Sequence, residues 1–85
     1  MTWRVIWTGP AAHDMRRLDR QIAKRIRDRA LRFAETGQGD IKRLQGHEQE
    51  WRLRVGDWRV RLTFDVHDGT MNILRIHHRS EGYRK

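Results

Sequence analysis

Residues 51–62 read WRLRVGDWRVRL, and their alternation decides the fold. Trp51, Leu53 and Val55 alternate with Arg52 and Arg54; after Gly56-Asp57, Trp58, Val60 and Leu62 alternate with Arg59 and Arg61. Period-two alternation on both sides of two turn residues predicts a β-hairpin, with Gly at the first central position of a type II′ turn. A two-residue turn fixes the register: Val55 opposite Trp58, Arg54 opposite Arg59, Leu53 opposite Val60, Arg52 opposite Arg61. One face of the hairpin is then apolar. The other carries four guanidiniums and no carboxylate. Like charges directly opposite each other destabilise a sheet, so this face calls for an anionic partner, and arginine forks match phosphate.

Working outward, Trp3, Val5 and Trp7 alternate with Arg4, Ile6 and Thr8, which predicts a first strand over residues 2–8. Gly9-Pro10 ends it, and Pro10 suits the first turn of a helix from Ala11 to about Leu18. Asp19 can cap a second helix reaching Thr36. Ile22, Ala23, Ile26, Ala30, Phe33 and Ala34 form its apolar stripe, and Arg20, Lys24, Arg27 and Arg32 its basic face. That face suits RNA phosphates, an acidic protein or plain solvent. Gly37 is a C′ residue, and residues 37–50 read as a polar loop. Beyond the hairpin, the second strand continues through Phe64 and Val66, a turn falls at Asp68-Gly69, and a last strand spans residues 71–78. The predicted class is α+β: an N-terminal strand, a two-helix hairpin, and a three-stranded antiparallel meander in one small sheet packed on the helices.

The last strand is placed by parity. A two-residue turn at Asp68-Gly69 would mix the faces, whereas a longer or bulged turn pairs Leu62 with Ile76 and Phe64 with Leu74. Arg61 then faces His77, and Arg59 faces Arg79. The expected patch has Arg52, Arg61 and His77 in one row and Arg54, Arg59 and Arg79 in the next, with Tyr83 just beyond. Trp3, Trp7, Trp51 and Trp58 fall on the apolar parity and belong to the core rather than to a base-stacking surface.

The chain of 85 residues makes one domain, residues 1–85, with a small core. A formal net charge of +8 points to a polyanion or to an acidic protein that masks this one. The absence of cysteine excludes disulfides, thiol nucleophiles and thiolate metal sites. The five histidines show no ligand spacing with carboxylates, so neither a metal site nor a cofactor is expected. No apolar run has the ~18 residues of a membrane span, and no signal-peptide segment is visible at the N-terminus. A cytoplasmic protein is the expectation.

If the patch holds RNA, metal-free cleavage needs a base for the 2′-hydroxyl, cations around the pentacoordinate phosphate and an acid for the leaving 5′-oxygen. Arginine supplies the cations but cannot shuttle protons. The shuttle falls to His77, Tyr83 or a carboxylate among Asp40, Glu48 and Glu50.

The order of elements, with WRLRVGDWRV at residues 51–60 and ILRIHHRSEGYR at residues 73–84, resembles the RelE/ParE-type toxins of bacterial type II toxin–antitoxin systems. The match covers most of the chain and is sharpest at Leu44–Gly46, Trp51–Val60 and Leu74–Arg84. The resemblance implies a helical hairpin on a small antiparallel sheet. It also implies one of two activities: cleavage of mRNA in the ribosomal A site, as in the RelE-like branch, or poisoning of DNA gyrase, as in the ParE-like branch. An acidic antitoxin would hold the toxin inactive in a hetero-oligomer. By position, Arg52 and Arg54 sit where RelE-like enzymes hold basic residues, often lysine. Arg59 matches the arginine after the Gly-x-aromatic turn, and Arg79 with Tyr83 matches the C-terminal Arg and Tyr of the cleaving branch. Tyr83 and the nearby histidines favour the ribonuclease, with Arg59, Arg79, Tyr83 and His77 as catalytic candidates and Arg52, Arg54 and Arg61 as phosphate binders. Arginine at 52 and 54 removes a lysine that would carry a proton, which leaves the base open between Tyr83 and His77. A gyrase inhibitor and a non-catalytic basic RNA-binding module are the alternatives.

Overall fold

The computed structural model describes residues 2–46 and 49–81. In chain order the elements are β1 (Arg4–Trp7), α1 (Gly9–Arg16), α2 (Arg20–Thr36), β2 (Asp40–Arg43), β3 (Glu50–Val55), β4 (Trp58–Asp65) and β5 (Thr70–His78). The strands form one sheet in the order β1-β5-β4-β3-β2, with β1 parallel to β5 and the other pairs antiparallel.

The hairpin forms in the predicted register: Val55 pairs with Trp58, Arg54 with Arg59, Leu53 with Val60 and Arg52 with Arg61. Gly56 has φ +60° while Asp57 stays at negative φ, as a type II′ turn requires. The alternating apolar residues Leu53, Val55, Val60 and Leu62 are all buried. They meet Ile26, Ala30, Phe33 and Ala34 of α2, which recur at helical spacing. Trp3, Trp7, Trp51 and Trp58 pack half-buried around this core. Asp19 caps α2 by accepting the Gln21 N–H at 3.0 Å, and Gly37 ends it in the left-handed region at φ +77°. α1 begins two residues earlier than the sequence predicts, because the Thr8 side chain takes the N-cap position ahead of Pro10.

Two expectations fail. The segment read as a polar loop contains β2, which adds a fifth strand on the outer edge of β3. Ile41 is its sole apolar residue and lies opposite Leu53, so a four-residue strand gives no alternation to read. The approach to β2 depends on Gly39, where a Cβ would lie 2.9 Å from Leu53 Cδ1 and 3.2 Å from Phe33 Cδ1.

The register of β5 also differs. Ile76 pairs with Val60 rather than Leu62, His77 with Arg59 rather than Arg61, and Arg75 with Arg61. Between Arg61 and Leu62 the register shifts, and beyond it Leu62 pairs with Ile73 and Phe64 with Met71. Leu74 is therefore the extra residue of a bulge within the strand, not within the turn. Its insertion lets Ile73 and Ile76, three apart, both face the core. Thr8 holds the carbonyls at this kink: its hydroxyl donates to Ile73 O at 2.7 Å and its N–H to the same oxygen at 3.1 Å. There β1 gives way to α1, and Asp14 of α1 takes over the exposed edge of β5 by accepting the Ile76 N–H at 2.9 Å.

Candidate functional site

The face of the sheet opposite the core is cationic. Strand parity and the observed pairings place Lys42, Arg52, Arg61 and Arg75 in one row across it. Asp40, Arg54, Arg59 and His77 form the next. The four hairpin arginines thus lie where the sequence predicts. His77 is on the predicted face too, but beside Arg59, and the seat expected for it next to Arg61 belongs to Arg75. Arg79 does not oppose Arg59. It follows the end of β5, where its N–H donates to Asp57 O at 2.7 Å and its guanidinium stands 3.6 Å from the Asp57 carboxylate in the hairpin turn. Tyr83 and Glu48 lie outside the described residues.

Carboxylates that the sequence reading left in a loop enter this face. Asp40 of β2 pairs with Arg52 at 3.1 Å and stands 4.0 Å from Arg54. Glu50, at the start of β3, accepts from Nε of Arg61 at 3.1 Å. Asp14 reaches round the sheet edge to Arg75 at 2.9 Å. The face is therefore partly neutralised internally, contrary to the expectation of an array without carboxylates. Among the described residues Arg59 differs from these neighbours: its guanidinium donates to the main-chain oxygens of Gly56 and Trp58, each at 3.4 Å, and meets no carboxylate. Arg75, Asp14 and Glu50 were not singled out from sequence as parts of a charge network. The alternation Arg75-Ile76-His77 carries the signal for Arg75, but only once the bulge is known.

Three titrations are shifted, those of His77, Asp14 and Arg75, the last raised by its hydrogen bond to Asp14. Partial burial pushes the His77 imidazole below the ordinary histidine value, and the Arg75 and Arg61 guanidiniums push it further the same way. Asp14 is also lowered; its partial burial acts upward, but the hydrogen bonds from Arg75 and the Ile76 N–H outweigh it. His77 is thus a neutral imidazole at pH 7, able to accept a proton, while Arg59 and Arg61 are fixed cations. A phosphate on this face would meet guanidinium forks, with the buried Nε2 of His77 beside them. Among the described residues no cluster of three or more His, Asp or Glu side chains is disposed to hold a metal ion. No described helix is long and apolar enough to cross a membrane.

A small mixed sheet with an arginine-rich outer face and a helical hairpin behind it defines an α+β domain with one cationic face. Residues 5–83 match the family model described as ParE toxin of type II toxin-antitoxin system, parDE. The chain belongs to this family, and is a toxin of the RelE/ParE class. A comparison with curated proteins gave no match. Among solved structures, the fold is similar to that in a RelBE toxin–antitoxin complex from Mycobacterium tuberculosis, with a TM-score of 0.81 at 24% identity over 93% of this chain and 100% of that one. It is likewise similar to an archaeal RelE–RelB complex from Pyrococcus horikoshii OT3, with a TM-score of 0.77 at 22% identity over 96% of this chain and 100% of that one. For a double arginine mutant of E. coli toxin RelE in the free state the TM-score is 0.78 at 12% identity, over 96% and 88% of the two chains.

Proposed function

We propose that the chain is a ribosome-dependent endoribonuclease that cleaves mRNA in the A site without a metal or cofactor. An acidic antitoxin holds it inactive in a hetero-oligomer in the cytoplasm. The observation that carries this reading is the juxtaposition of Arg59 with His77: a guanidinium that meets no carboxylate among the described residues, next to an imidazole held neutral. In this reading the 2′-hydroxyl gives its proton to His77 or Tyr83, and its oxygen attacks phosphorus. The O2′–P bond forms as the P–O5′ bond breaks, and the leaving O5′ takes a proton from the group acting as acid. The products are a 2′,3′-cyclic phosphate and a 5′-hydroxyl. Arg59 and Arg79 balance the charge that develops on the phosphorane, while Arg52, Arg54 and Arg61 hold the flanking backbone.

Tyr83→Phe separates the roles open to that residue, since Phe keeps a ring for stacking on a base and loses the hydroxyl. Slow cleavage with normal ribosome binding assigns Tyr83 to proton transfer. Activity of Phe but not Ala assigns it to stacking, and full activity of both leaves His77 as the proton carrier.

The second reading is a gyrase inhibitor of the ParE-like branch, and the observation favouring it is the family model itself, which bears the ParE name. In that case the arginine face would dock on protein and carry no chemistry. Expression without antitoxin then leaves mRNA intact and produces double-strand DNA breaks.

A further inference from the structure

A second cationic concavity lies off the sheet face. α2 carries Arg25, Arg29 and Arg32 at i, i+4 and i+7, on one side of the helix. Arg25 reaches the hairpin turn, its Nη1 lying 3.6 Å from where a Cβ on Gly56 would stand. Arg29 and Arg32, with Gln38, Gly39, Leu53 and Arg54, line a cavity of about 210 Å³ at the sheet edge, where β2 begins. No carboxylate among the described residues lines it. Asp40, at the start of β2, is taken by Arg52 at 3.1 Å and stands 4.0 Å from Arg54. Arg32 is oriented by a neutral partner, Gln38 Oε1 at 2.9 Å, and forms no ion pair among the described residues. The floor exists because residue 39 is a glycine: a Cβ there would collide with Leu53 and Phe33.

We propose that this cavity is a phosphate site for RNA backbone, distinct from the cleavage face and joined to it through Arg54. The choice of RNA as ligand rests on the functional reading above. Three arginines converge on one cavity, and like charges so placed repel one another in the free protein. Planar guanidinium forks around a concavity match the oxygens of a phosphodiester. Arg54 belongs to both places. On the outer face it is paired with Arg59, and at the edge it closes the cavity against Arg29 and Arg32. An RNA strand lying over Arg59 would pass Arg54 at the hairpin end of the sheet to reach Arg29 and Arg32 of α2.

The test follows the arginine Nε–Hε NMR resonances of the whole chain titrated with a 2′-O-methyl oligoribonucleotide, which cannot be cleaved. The Arg29, Arg32 and Arg54 signals should move together and saturate. The double variant Arg29→Gln/Arg32→Gln, both positions exposed, should weaken binding and flatten the slope of log affinity against log salt by about 0.7 for the single-strand phosphate lost. An unchanged slope, or signals that move on the sheet face alone, overturns the proposal. So do equal shifts with poly-glutamate at matched charge, which would make the cavity a carboxylate site. Because the probe is inert to cleavage, these shifts are scored independently of activity. A protein that shows them but leaves mRNA intact loses the nuclease reading alone. One that cleaves mRNA without them loses this site alone.

Discussion

Arg59 of β4 and His77 of β5 are direct partners across the sheet. Among the described residues Arg59 is the arginine of the hairpin face that no carboxylate approaches, since Asp40 serves Arg52 and Arg54 and Glu50 serves Arg61. A cation kept clear of internal neutralisation, beside an imidazole kept neutral, is costly for the free protein and useful for an incoming phosphate. Replacing Arg59 by Ala removes no ion pair and relieves like-charge repulsion with Arg54 opposite. Stability should therefore change by no more than about 0.5 kcal/mol, while cleavage should fall on the order of 10²–10³-fold. Urea unfolding and single-turnover cleavage on programmed ribosomes read the two effects.

His77 predicts the pH dependence of stability. Its folded pKa lies below the ordinary value of 6.5, so between the two the unfolded chain binds the proton more readily. Stability should thus fall as pH drops below about 6.5. His77→Asn removes this dependence and leaves the wild type less stable at pH 5.5 than at 7.5 relative to the variant. Denaturant midpoints at the two pH values provide the check. Asp14 acts in a separate, lower window. Its pKa is depressed from 3.8, so its contribution is complete above that value and vanishes as pH falls through the folded pKa.

Asp14 serves the edge of β5 as well as Arg75. Its side chain is 13% exposed and accepts from Arg75 Nε and from the Ile76 N–H, each at 2.9 Å. Asp14→Ala leaves a strand N–H unsatisfied near the bulge and should cost about 1–3 kcal/mol. Asp14→Asn keeps an oxygen acceptor for Ile76 and should cost less. Equal losses in the two variants would locate the effect in the charge pair instead. Thermal unfolding of both distinguishes these outcomes.

The hairpin was legible because a two-residue turn ties every pairing to one choice of register. β5 was not, because Leu74 is inserted inside the strand and reverses the parity of the residues before it. Period-two reading carries no signal for such a bulge. β2 offered one apolar residue, Ile41, and its pairing to β3 supplied what alternation lacked. The same gaps blurred the site. Arg52, Arg54, Arg59 and Arg61 were correctly placed on the outer face from the hairpin alone. The partner of His77 slipped by two positions with the β5 register, and Arg79 went to Asp57 rather than opposite Arg59. Asp40 and Glu50 enter the patch through strand ends that had read as loop.

Masking by an antitoxin has its own signature. Unbound, a chain of net charge +8 should bind RNA with a salt slope of roughly −0.7 for each single-strand phosphate neutralised. If an acidic antitoxin covers the arginine face, the complex should show a much shallower slope. Parallel slopes for free protein and complex would place the antitoxin elsewhere, leaving steric exclusion from the ribosome as its mode of action. Filter binding over a salt series makes the comparison.

The central claim is tested most directly by mapping mRNA 5′ ends on ribosomes after induced expression without antitoxin, in wild type and Arg59→Ala. New 5′-hydroxyl ends should appear within A-site codons shortly after induction, and be absent from the variant at matched expression. Intact mRNA in growth-arrested cells, with double-strand DNA breaks that depend on gyrase, would contradict it.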